Sequence, residues 1–128
     1  WPKSPGEALH TSTFLGHPVG CAMALKSLEI LERDETIRLV EAASQKLGQI
    51  LQRFDHPAVC EVRGRGLMWG MELDRPVGGL LAMLLAEGLL FLADGPQGNV
   101  LSFTPPFLLS EGELDFAMGV IRHLLDAA

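Results

Sequence analysis

The sequence predicts an α+β fold in which a long helical arm leads into a small, mainly antiparallel sheet covered by helices on one side. Three observations carry that expectation. Apolar residues recur at helical spacing from Pro18 to Phe54, alternation takes over from Leu67 to Leu73, and helical spacing returns from Ser110 to Leu125. Short apolar runs bounded by glycine and proline lie between the last two. The order is helix, helix, strand, strand, helix, strand, strand, helix. With 128 residues, 48% of them hydrophobic, the chain is long enough to bury a core.

Residues 1–17 read as irregular, because Pro2, Pro5, Gly6 and Gly16 oppose regular structure. Pro18 suits a first helical position, where its missing donor is harmless, with His17 at the cap. Cys21, Leu25, Leu28 and Leu31 follow at helical spacing in an Ala-rich run that reads as a buried helix ending near Arg33. Asp34 is a good cap for a second helix. There Ile37, Val40, Leu47, Leu51 and Phe54 form an apolar stripe, with Glu41, Gln45, Lys46, Gln49 and Gln52 mainly off it.

His56 and Pro57 end the arm, and the period changes. Leu67, Trp69, Met71 and Leu73 alternate with Met68, Gly70 and Glu72, which predicts a strand with one buried face. A shorter strand, VCEVR, precedes it through Gly64, Arg65 and Gly66. GGLLAMLLAEG is a short apolar helix closed by Gly88. LLFLA reads as a short buried strand, DGPQGN as a turn cluster and VLSF as another strand, stopped by Pro105 and Pro106, which cannot donate to a ladder. Ser110 and Glu113 have capping-box spacing ahead of Leu114, Ala117, Met118, Ile121 and Leu125 in a closing amphipathic helix.

Charge narrows the function. Ten Lys and Arg against sixteen Asp and Glu give a net charge of -6, with the basic residues scattered, which argues against nucleic acid and anionic membranes as partners. The apolar stretch Gly78–Gly95 is interrupted by Glu87 and Gly88, so neither half reaches the roughly 18 uninterrupted residues of a membrane span. Cys21 and Cys60 have no metal or redox spacing, which fits a reducing, cytoplasmic setting. A first residue Trp1 and the connecting-chain character of WPKSPGEALH suggest a piece of a longer protein.

Several residues invite chemistry. Glycines 64, 66 and 70 resemble a dinucleotide fingerprint, but such a loop needs a helix after it and the following residues alternate as a strand. A tight strand connection is therefore preferred over a phosphate role for Arg63 and Arg65. The four histidines, at 10, 17, 56 and 123, make no convincing metal spacing, and no metal site is expected. His56 reads as a loop residue, His123 as a partly exposed helix residue and Trp69 as core. Lys3, between two prolines, reads as solvated rather than Schiff-base forming. Ser12 and Thr13 stand just before a helix start, where hydroxyls and free backbone amides make an anion site without a basic residue. They could equally satisfy loop backbone groups, and chemistry alone leans slightly that way.

Three runs, in order, change that balance. HTSTFLGHPVGCAMALKSLEILE, VRGRGLMWGMEL and VLSFTPPFLLSEGELDFAM resemble successive segments of the class III, acetylornithine and 4-aminobutyrate type, pyridoxal-phosphate aminotransferases. The resemblance spans almost the whole chain. It implies the carboxy-terminal part of a fold type I enzyme, with residues 1–17 ending the large domain, 18–54 forming a helical connection and 55–128 the small domain. It implies pyridoxal 5'-phosphate as cofactor and a homodimer in which Thr13, assisted by Ser12, reaches the cofactor phosphate of the partner subunit. The substrates it implies are an amine or amino acid donor and a keto acid acceptor.

The resemblance also marks departures. The family's Schiff-base lysine and the aspartate that pairs with the pyridine nitrogen lie upstream of the matched runs. No catalytic residue is therefore expected in these 128 residues, and the chain alone is expected to be inactive. Ser102 occupies a substrate-binding position where many members carry an arginine that grips the α-carboxylate, and serine cannot make that bidentate, charged contact. His17 replaces a commoner asparagine. Alternatives are a decarboxylase, aminomutase or racemase of the same scaffold, or a free-standing α+β regulatory or binding domain.

Overall fold

A computed structural model describes residues 14–127 of the chain. Eight elements come in the expected order: α1 (Pro18–Leu31), α2 (Asp34–Gln52), β1 (Val59–Arg65), β2 (Met68–Leu73), α3 (Gly78–Ala86), β3 (Leu92–Asp94), β4 (Val100–Phe103) and α4 (Glu111–Asp126). Residues up to Thr36 and residues from Ile37 onward belong to two separate compact units.

In the first unit, Phe14–Gly16 makes a turn that Gly16 closes at φ 73°, and His17 enters α1 in extended conformation ahead of Pro18. The expectation of a buried helix is not met, for no residue of α1 is buried. Val19, Met23, Leu25, Leu28, Ile30 and Leu31 are all exposed. At 100° per residue these six side chains surround the axis instead of forming one stripe, so no single face can bury them.

In the second unit the four strands form an antiparallel sheet in the order β1-β2-β4-β3. Gly66 and Leu67 join β1 to β2 in a two-residue turn, with φ +62° at Gly66, the sign pattern of the II′ turns that match strand twist. Met71 and Leu73 of β2 and Leu101 and Phe103 of β4 point to one face. There they share a hydrophobic cluster with Leu47 and Leu51 of α2, Leu80 and Leu84 of α3, and Leu114, Met118, Ile121 and Leu125 of α4. The alternation read from Leu67 to Leu73 is thus the alternation of core and open face.

Two close approaches fix α2 and the hairpin. A Cβ on Gly48 would lie 2.7 Å from Trp69 Cζ2, and one on Gly64 would lie 2.5 Å from both Met68 O and Trp69 Cδ2. The Trp69 ring therefore packs where two glycines leave room, and its Nε1 donates to Gly66 O at 2.9 Å. Trp69 is a half-buried packing residue, as its alternation predicts.

The remaining ends follow local chemistry. Gly88, at φ 82°, closes α3 with its N–H donating to Leu85 O and the Leu89 N–H to Leu84 O, the paired bonds of a Schellman motif. Ser110 and Glu113 form the capping box of α4. The short strand differs from its expectation: LLFLA is not buried strand throughout, and β3 is only Leu92–Asp94, exposed at all three residues. By the register that pairs Leu92 with Ser102, Phe91 falls opposite Phe103 but lies just outside β3. Phe91 instead packs edge-on against Phe103, with ring centroids 5.0 Å apart.

Candidate functional site

The sheet's second face carries the chemistry. Strand registers place Arg63 opposite Gly70, Gly70 opposite Ser102 and Ser102 opposite Leu92, so these four residues form one row across the sheet. The adjacent row is Glu61, Glu72, Val100 and Asp94. Because side chains alternate between faces, both rows point away from the hydrophobic cluster. Val100 is buried but does not belong to that cluster, which agrees with its place on this face.

Gly70 and Ser102 are the low points of the first row. Above them is a trench of about 280 Å³ lined by Arg63, Met68, Gly70, Asp94, Ser102 and Thr104, among others. A Cβ on Gly70 would lie 2.9 Å from Val100 Cγ1, so the floor has no room for a larger residue unless Val100 moves.

Arg63 stands at the β1 end of the trench and is already engaged. Its Nη1 donates to Glu61 at 2.7 Å and to Glu72 at 2.6 Å. The hydrogen bond to Glu72, followed by the charge of Glu61, raises the guanidinium's pKa. Arg63 in turn lowers the Glu72 carboxyl, with Asn99 Nδ2 adding a bond at 3.4 Å. Both partners therefore stay charged across the neutral range. At the β3 end, Asp94 Oδ1 accepts from its neighbouring Gly95 N–H at 2.7 Å.

Of the residues singled out from the sequence, Ser102 is half-buried in the middle of this face. Ser12 and Thr13 lie outside the described residues. The glycines at 64, 66 and 70 belong to a hairpin with strands on both sides, so the tight connection, not a dinucleotide loop, is what forms. His56 sits in the loop before β1, where Nδ1 accepts from Ala58 N–H at 3.1 Å and Nε2 lies 3.2 Å from Asp126 Oδ1. His123 is exposed on α4. Among the described residues no group of His, Cys, Asp and Glu could hold a metal ion, and no helix is long and apolar enough to cross a membrane. Cys21 and Cys60 are free and exposed.

Sequence reasoning did not bring Arg63, Gly70, Ser102 and Asp94 together. Alternation within each strand assigns each residue to a face, but the row requires the register between strands, which propensity does not give.

A helix-backed antiparallel sheet whose other face holds hydroxyls, an ion-paired arginine and a trench is a small α+β module. Its kinship is specific: the aminotransferase class-III family profile matches residues 2–125, and the chain belongs to that family. An ornithine aminotransferase of Bacillus cereus (strain Q1) is 38% identical over 91% of this chain, and one of Bacillus subtilis (strain 168) is 36% identical over 95%. The chain spans 29% of the length of each of these relatives. Among solved structures, the adenosylmethionine-8-amino-7-oxononanoate aminotransferase of Methanocaldococcus jannaschii matches 95% of this chain with TM-score 0.75 and 26% identity. The match covers 30% of that protein. The PMP-bound form of an aminotransferase from Vibrio fluvialis matches 94% at TM-score 0.75 and 27% identity, covering 29% of its chain.

Proposed function

We propose that this chain is the carboxy-terminal part of a pyridoxal-phosphate-dependent aminotransferase that moves an amino group from an amine or amino acid to a keto acid. The observation that carries this reading is the family match across residues 2–125 in a chain spanning only 29% of its curated relatives. In this reading residues 1–17 end a large domain, 18–54 are a helical connection and 55–128 are the small domain. The whole protein is a cytoplasmic homodimer. Six exposed apolar residues surrounding α1 support burial of that helix within a larger body.

The donor set at the start of α1 fits a phosphate. His17 makes no side-chain cap, and no acidic residue stands in the first turn to claim or repel what approaches it. Thr13 and Ser12, just upstream, supply hydroxyls that would donate to phosphate oxygens of the neighbouring subunit's cofactor. Neutral hydroxyls and backbone amides at a helix start hold a phosphate without a nearby cation. The cofactor supplies an electron-accepting ring that lets a proton leave the substrate carbon. This chain's part is to hold that group and to shape the substrate's surroundings through Ser102 on the sheet's second face. Alone, it turns over no substrate.

The test uses the complete protein that carries this chain. It is expected to show an absorbance band near the visible edge that borohydride reduces, and Thr13→Ala is expected to weaken cofactor retention on dialysis while leaving the fold intact. Absence of the band after incubation with pyridoxal phosphate would overturn the reading.

A further inference from the structure

We propose that Arg63, at the β1 end of the trench, grips the carboxylate of the keto acid acceptor, performing from across the sheet the task that Ser102 cannot. This rests on the aminotransferase reading, which makes the trench a substrate surface, and goes beyond it by assigning the anchor to a different strand.

The fork of the guanidinium is the first argument. Both ion pairs of Arg63, to Glu61 at 2.7 Å and to Glu72 at 2.6 Å, are made by Nη1. Among the described residues nothing accepts from Nε or Nη2. Those two nitrogens share one edge of the guanidinium, and such an edge meets a carboxylate with two parallel bonds. The two glutamates are held unequally. The Glu72 side chain is 32% exposed and its Oε1 accepts from Asn99 Nδ2 at 3.4 Å, whereas Glu61 is 58% exposed and, among the described residues, pairs with Arg63 alone. Exposed ion pairs are weakly held. Glu61 therefore turns out into water as a substrate carboxylate arrives, while Glu72 stays and keeps the guanidinium in place.

Placement is the second argument. Arg63, Gly70 and Ser102 are consecutive in one row, and all three line the trench. Gly70 has no side chain to stand between the other two and no room for one, since its Cβ would meet Val100 Cγ1 at 2.9 Å. A carboxylate seated over Gly70 has the Arg63 fork on one side and the Ser102 hydroxyl on the other, and that hydroxyl can donate to a lone pair the fork leaves open. Asp94, at the far wall, belongs to β3, three strand spacings from β1. That is about 14 Å, beyond the ~8 Å over which exposed charges act in physiological salt. Asp94 therefore does not oppose a carboxylate held at Arg63.

The complete protein, in its pyridoxamine-phosphate form, is mixed with pyruvate or with propanal, which lacks the carboxylate, and return of the cofactor band is followed in that half-reaction alone. Arg63→Met is expected to raise the apparent dissociation constant for pyruvate about 10- to 100-fold, the range of a hydrogen bond to a charged group, and to leave propanal unchanged. Calorimetry on the pyridoxal-phosphate form is expected to show the same selective loss for propionate against propanamide, a readout independent of turnover. Ser102→Arg added to Arg63→Met is expected to restore pyruvate, because it returns a guanidinium to the same row. Glu61→Gln, which removes the competing carboxylate, is expected to tighten pyruvate. Arg63→Lys keeps a charge but not the fork, is expected to weaken pyruvate selectively, and serves if Arg63→Met does not fold. Equal losses for pyruvate and propanal, or propionate binding that no Arg63 variant changes, would make Arg63 a structural ion-pair residue and overturn the proposal. A complete protein with no cofactor band and no reaction with any donor overturns the aminotransferase reading itself, and this inference with it.

Discussion

Gly64 and Gly66 stand two residues apart and do different work. Gly64 lies beneath the Trp69 ring, where a Cβ would meet both ring and backbone at 2.5 Å. Gly66 has open space around it but a φ of +62°. Gly64→Ala should therefore destabilise by overpacking, about 1–3 kcal/mol or more, since the Met68 carbonyl cannot swing aside. Gly66→Ala should cost about 1–2 kcal/mol through the left-handed backbone alone. Urea denaturation of the two variants separates these cases, and equal costs would mean that the ring yields. The sequence shows both glycines at a tight strand connection. It cannot show which is needed for space and which for φ, because that depends on where Trp69 places its ring.

Helix ends were the most legible elements, since caps are written in a few adjacent residues. Ser110 Oγ accepts from the Glu113 N–H at 3.2 Å, and Glu113 accepts from the Ser110 N–H at 2.8 Å. Ser110→Ala is expected to cost about 1 kcal/mol. The hydroxyl and then the backbone N–H of Ser110 lower the Glu113 pKa. A lowered folded pKa means that the capping contribution is fully present above the unfolded value near ~4.3 and is lost as pH falls through the folded value. The stability difference between native protein and Glu113→Gln, measured from pH 7 down to pH 2, should therefore shrink on the acid side. A difference that grew toward acid would contradict the assignment. Gly88→Ala, at φ 82°, should cost about 1–2 kcal/mol and fray the end of α3, seen as faster exchange of the Leu89 amide. The strand ends were less legible. Phe91 reads as strand by composition, yet it lies just outside β3 and packs edge-on beside Phe103.

For the whole molecule, three ordered motifs carried the resemblance to the family, while the open face came only with the register. Ser102 could be singled out from its motif. That Arg63 shares its row, and is held by Glu72 nine residues further along, could not. The apolar surroundings of α1 could be read from the sequence, but which of its sides would be covered could not. That register, in turn, hangs on Gly66 and Leu67. A sheet's side chains alternate with period two, so one residue inserted into this turn and absorbed by β1 would send Arg63 to the hydrophobic side, opposite Met71, and bring Gly64 opposite Gly70 in its place. Among descendants of this gene the hairpin should drift freely in composition at its exposed positions, yet keep its length.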